Sequence, residues 1–179
     1  MYCNIDYWNN LLQLLSNIST ILGGAAIIYA VLSYKVTQKQ LNFAVLDRCI
    51  SIFHERYLYI SNDSDRVILK SYVDFVNEEL FYFEKDYIHK DVAIEWIDGM
   101  INYMPIYNQV NKILNPNNSI TKIDELNLFK DFQRVKKAFV VKNKYNFDLI
   151  YSETTTDASY LDRKNERERL AKEIYKNLK

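Results

Sequence analysis

Hydrophobic and polar positions divide this chain sharply near its start. Residues 7–34 carry no charged side chain, and Leu11 to Tyr34 is dense in Leu, Ile, Ala and Val. A helix of about 20 largely apolar residues is long enough to cross the hydrocarbon core of a bilayer. The pattern therefore predicts an N-terminal transmembrane helix within residues 1–35 and a separate domain over 36–179. The competing reading is a core helix of a soluble protein, but so long an uncharged run is unusual beside a charge-rich remainder. After Lys35 the apolar positions keep a helical period through Leu41, Ala44, Val45, Cys49, Ile52, Phe53 and Tyr57, with no Gly or Pro between them. The same rod is expected to continue to about Tyr59.

Further on, the pattern predicts an all-α domain. "SNDSD" at 61–65 breaks the rod and offers N-caps for a helix from about Asp65 to Glu84, burying Val67, Ile68, Tyr72, Phe75, Val76 and Leu80. A third helix is expected from about Asp91 to Leu114, with Val92, Trp96, Ile97, Met100, Ile101 and Met104 inward and a kink or stop at Pro105. A fourth should run from Lys122 to about Val141 with Leu126, Phe129, Phe132, Val135 and Phe139 on its apolar side. In "YNFDLIYSETTTD" the residues Phe147, Leu149 and Tyr151 alternate, yet a lone strand has no evident partner. Thr156 or Asp157 is expected to cap a last helix whose face is Leu161, Leu170, Ile174 and Leu178.

The first segment is not uniformly apolar. At 100° per residue, Asn10, Gln13, Asn17, Thr20 and Gly24 fall within an arc of about 80°, and Ile28 and Val31 continue the line. Amides facing lipid are costly, so this arc should face protein or water. Several copies would then line an aqueous conduit that is polar at one end and narrowed by Ile28 and Val31. The alternative places the outer amides in the headgroup layer and the inner ones across a helix pair. The Gly23-Gly24-Ala25-Ala26 patch permits close helix approach.

Charge adds an orientation. Lys35, Lys39, Arg48 and Arg56 follow the run and nothing basic precedes it, which puts the N-terminus outside and the remainder in the cytoplasm. The opening "MYCNIDYW" lacks the basic region of a secretory signal peptide. Lys+Arg and Asp+Glu both total 23, so net charge selects no partner. Its distribution is uneven: residues 61–110 hold ten acids and four bases, residues 111–179 fifteen bases and ten acids. Such halves can attract within one chain or between copies. Only three Gly and two Pro occur, which favours long helices, and Cys3 and Cys49 have neither disulfide-framework nor metal-ligand spacing.

Candidate chemistry is sparse. There is no phosphate loop, HExxH, CxxC or serine nucleophile elbow, so no metal, no cofactor and no catalytic activity are expected. Acid pairs such as Glu78-Glu79 and Asp63/Asp65 read as ordinary surface. Arg134, Lys136, Lys137, Lys142 and Lys144, interleaved with Phe139, Tyr145 and Phe147, form one basic cluster. It fits a weak single-strand nucleic-acid groove, a face attracted to anionic lipid, or a rim docking on the acidic segment; direct RNA binding is not the favoured reading. Arg48 and His54 remain. In nucleases built on such a pair, histidine moves the 2′-hydroxyl proton and arginine stabilises the phosphorane charge. Six positions on a regular helix, however, separate the two side chains by about 120° and ~9 Å. The pair reads better as a contact between helices or subunits, with Arg48 meeting a carboxylate.

The layout of an N-terminal span, a short helical cytoplasmic domain and a single Arg48-x5-His54 motif resembles the accessory membrane proteins that accompany the RNA-guided RNA nuclease of type VI-B CRISPR systems. Arg-x4–6-His is the loose signature of HEPN helical bundles, in which the residue after arginine is usually polar; here it is Cys49. "FVNEELFYFEKDYI" and "VAIEWIDGMI" are also similar to a broader group of single-span helical bacterial proteins. The resemblance implies a HEPN-like helical bundle beneath the span, and a ring-shaped homo-oligomer of eight chains forming a pore in the bacterial inner membrane. It further implies antiviral defence by membrane depolarisation once the partner nuclease detects phage RNA, with ribonuclease activity doubtful. The rival readings are a membrane-tethered HEPN ribonuclease and a membrane scaffold for the RNA-guided effector.

Overall fold

The uncharged run and the apolar positions after it form one helix, α1 (Ile5–Ile52), which passes directly into a π-helical turn, Phe53–Tyr57. A computed structural model describes residues 5–60, 64–108, 114, 131–153 and 157–179, with the side chains of 5, 6, 18, 20, 21, 157 and 158 outside the description. Among the described residues the chain is all-helical, without a strand. It divides into two units, Met1–Ala44 and Val45–Lys179.

In the first unit one helix is long and apolar enough to cross a membrane, and none of its most apolar stretch is buried within the chain. A core helix of a single soluble chain would be covered; this one is not. A Cβ added at Gly23 or Gly24 would meet nothing within 4 Å.

The second unit holds the core. Helix α2 (Arg66–Glu84) starts where Asp65 Oδ1 accepts a hydrogen bond from the Ile68 amide at 2.8 Å, an N-cap that satisfies one of the free donors of the first turn. Its inward stripe is Leu69, Tyr72, Val73, Val76, Leu80 and Phe83, joined by Phe75. That differs from the expected set, since Val67 is 76% exposed and Ile68 40%. The i, i+3, i+4, i+7 register begins at Leu69, and the first turn projects beyond the packed face.

Helix α3 (Lys90–Met100) is shorter than expected. A turn continues to Met104, whose amide reaches Met100 O at 2.9 Å, and Pro105 then ends it because the preceding residue is driven out of helical geometry. Ile97, Met100, Ile101 and Met104 are buried, while Val92 and Trp96 pack at the core's edge.

Of the expected fourth helix, residues 122–130 lie outside the described residues, with Leu126 and Phe129 among them. Only α4 (Gln133–Ala138) is helical in the part described. It stops at Phe139, where the chain forms a single parallel bridge: Tyr107 N donates to Phe139 O at 2.9 Å and Val141 N to Tyr107 O at 2.8 Å. Asn177 Nδ2 donates to Ala138 O at 3.1 Å and to Val140 O at 2.8 Å, satisfying carbonyls at this helix end.

The segment with alternating apolar residues is a short helix, α5 (Phe147–Tyr151), because Asn146 Oδ1 caps it at the Leu149 amide. Helix α6 (Asp157–Leu178) buries Leu170, Ala171, Ile174, Tyr175 and Leu178 but leaves Leu161 exposed. Thr156, one of its two expected caps, lies outside the described residues. Helix α6 is the spine of the unit, packing on α3, α4 and α5. The buried guanidinium of Arg167 ties these layers together: Nε donates to Asp98 Oδ1 at 2.7 Å, and Nη1 to Asn102 Oδ1 at 3.0 Å and Ile150 O at 3.4 Å.

The acidic and basic stretches meet inside this unit. Arg134 pairs with Glu84 at 3.0 Å, Arg167 with Asp98 at 2.7 Å and Lys179 with Asp86 at 2.6 Å. Each ion pair joins an acid from 61–110 to a base from 111–179, as the intramolecular reading of the charge pattern requires.

Candidate functional site

The residues singled out from sequence lie in two places. On α1, Asn10, Gln13, Asn17, Gly24, Ile28 and Val31 are all solvent-exposed in the single chain; the side chain of Thr20 lies outside the description. Apolar neighbours are equally bare, among them Leu15, Leu22 and Tyr29. Soluble monomers rarely expose contiguous apolar area on this scale.

Arg48 and His54 lie in the second unit and are engaged separately. Arg48 Nη2 reaches Glu78 Oε1 at 2.9 Å, and the same oxygen accepts from Tyr82 Oη at 2.6 Å. The hydrogen bond to this carboxylate is the main reason the Tyr82 phenol is pushed up to about 12. Both Arg48 and Glu78 remain well exposed, so the ion pair adds little stability. His54 is the second residue of the π-helical turn, its ring edge-on to Phe53 with centroids 6.3 Å apart. The path from Arg48 to His54 is α-helical as far as Ile52 and enters the π turn only at Phe53, where bonding from i to i+5 alters the rotation per residue. Tyr57 closes this turn, buried and bonded through its hydroxyl to Ser71 Oγ of α2.

His54 borders a cavity of about 410 Å³, to which Arg48 contributes nothing. Cys49, Ile50 and Phe53 of the rod line it, with Tyr72 and Glu79 of α2 and Glu95, Trp96, Gly99 and Met100 of α3. Asn102 and Tyr103 complete it from the turn that follows. Cys49 is buried, which removes its thiol from reagents in bulk water.

The sequence reading of Glu78-Glu79 as ordinary surface is wrong for Glu79, which is only 6% exposed. It follows Tyr72 by seven and Val76 by three, so the helical period places it on the apolar stripe. That periodicity was the available signal. Among the described residues Glu79 makes no hydrogen bond or ion pair. Burial, reinforced by the charge of Glu78, raises its carboxyl to about 8, as expected when the charged form loses its hydration.

The basic cluster is likewise partly spent inside the fold. Arg134 pairs with Glu84 and lies over the Phe81 ring, and Lys137 Nζ donates to Leu178 O at 2.7 Å, capping the end of α6. Among the described residues no group of three His, Cys, Asp or Glu side chains is placed to hold a metal ion.

Among the described residues the fold is thus all-helical, with one helix of membrane-spanning length and composition. Comparison with protein-family models, curated proteins and solved structures finds no match to this chain.

Proposed function

We propose that this protein is an oligomeric pore of the bacterial inner membrane, spanning it once through α1 with its helical domain in the cytoplasm. In this reading it enhances type VI-B CRISPR antiviral defence by depolarising the membrane. The pore reading rests chiefly on α1, an apolar helix uncovered within its own chain that carries amides along one line. In a bilayer, apolar faces meet lipid and the line Asn10, Gln13, Asn17, Thr20, Gly24 is sequestered from it by neighbouring copies. Ile28 and Val31 narrow the conduit. The partners are further copies of the chain, in a ring of eight, and the lipid bilayer; the link to an RNA-guided RNA nuclease rests on the resemblance in layout alone.

The pairing of Arg48 with Glu78 and the burial of Cys49 favour this reading over a HEPN-like ribonuclease, which needs arginine and histidine on one phosphate. Expressed alone, the protein should sediment with inner membranes and lower membrane potential in a dye assay, and Asn17→Leu should reduce the effect severalfold. Recovery in the soluble fraction, or an undiminished potential, would overturn the proposal. RNA cleavage by purified protein, lost in His54→Ala, would instead establish the ribonuclease.

A further inference from the structure

The cavity bordered by His54 and Glu79 has no part in a conduit formed by α1, and its lining is chemically selective. Its volume of about 410 Å³ suits a small organic molecule. Aromatic side chains dominate its walls: Phe53, Tyr72, Trp96 and Tyr103, with the imidazole of His54 beside them. The formally charged lining groups are carboxylates, Glu79 and Glu95, while Arg48, the nearest strong cation in sequence, is held by Glu78. Glu79 is the decisive residue. It is nine-tenths buried, lines the cavity and has no hydrogen bond or ion pair among the described residues. A buried carboxyl without a partner is costly, and an apolar or amide side chain would fill the position more cheaply. Once ionised, it would repel an anion, and a purely apolar ligand would leave the carboxyl unmatched.

We propose that this cavity binds a small organic cation, an ammonium or guanidinium group on an apolar body, with Glu79 receiving the charge and the aromatic walls packing the rest. A cation placed against aromatic faces is attracted by their quadrupoles, more strongly when water is excluded, and it supplies the missing ion-pair partner of Glu79. The assignment does not depend on what α1 does in a membrane.

The test uses the full chain in a non-ionic maltoside detergent. The protein has two tryptophans, so Trp8→Phe leaves Trp96 as the sole indole and an internal reporter. Three probes of one shape are titrated: phenethylammonium, phenethyl alcohol and phenylacetate. The cation should change Trp96 fluorescence saturably and bind about tenfold or more tighter than the alcohol, with phenylacetate weakest. Glu79→Gln, with an unchanged elution volume, should abolish the preference for the cation over the alcohol. Equal affinity for cation and alcohol, tighter binding of the anion, or no saturable response to the cation would each overturn the proposal. All three are read in the Trp8→Phe chain alone, so a misfolded Glu79→Gln does not shield the idea.

Discussion

Glu79 carries a titration with a consequence for stability. Its carboxyl ionises near 8 in the folded chain against an ordinary value of 4.5. Below about pH 4.5 it is protonated in both states and burial costs no charge. As pH rises from there to about 8, the unfolded chain releases the proton first, so the folded state loses stability relative to the unfolded one. Glu79→Gln removes this titration. The variant should match the parent at about pH 4 and below and exceed it by several kcal/mol at pH 8, the gap opening by up to about 1.4 kcal/mol per pH unit. Urea unfolding of both proteins across that range measures it. The same residue shows what sequence leaves ambiguous: a charged letter on an apolar stripe is consistent with a helix face that ends early or with a buried acid. Arg48 and His54 show a different limit. Their spacing was legible, but the π turn that holds His54 and ends on the buried Tyr57 was not, since no local pattern announces it.

At the scale of elements, the layers around α6 depend on Arg167. Its guanidinium reaches α3 through Asp98, the following turn through Asn102 and the short α5 through Ile150 O. Methionine would keep much of its apolar stem yet remove the donors that Arg167 offers to the Asp98 carboxylate, the Asp98 peptide oxygen and Asn102 Oδ1, while Ile150 O keeps Arg163 Nε at 3.1 Å. Asp98 is partly hydrated, which moderates the loss. Arg167→Met should cost about 2–3 kcal/mol in chemical denaturation. The element that sequence rendered best was α2, with Asp65 at its cap; the start of α3 was also legible, but it ends at Met100, well short of the expected Leu114. Those it rendered worst are held from a distance. Helix α4 ends where Asn177, nearly forty residues away in sequence, takes its last carbonyls. Helix α5 was obscured by the alternation of Phe147, Leu149 and Tyr151, which mimics a strand; the Asn146 cap decides otherwise. For α6, periodicity gave Leu170, Ile174 and Leu178 but not the buried Arg167.

For the whole molecule, the two compositional halves of the domain are also its electrostatic halves, joined by Arg134–Glu84, Arg167–Asp98 and Lys179–Asp86. The equal totals of acids and bases therefore conceal an internal pairing, legible in sequence as asymmetry but not as particular partners. The first unit poses the opposite case, a helix whose chemistry was plain and whose most apolar stretch is not buried within the chain. Gly23 and Gly24 turn that into a measurable sign. With open space at both positions, a methyl group on a solitary helix should help, by about 1 kcal/mol per glycine on helix propensity in water. Where copies approach closely at this patch, the same methyl forces the backbones apart. Gly24→Ala should raise helix content in dilute micelles holding one chain each, and reduce the assembled fraction in crosslinking at high protein-to-lipid ratio. One substitution thus separates the intrinsic preference of the helix from the company it keeps.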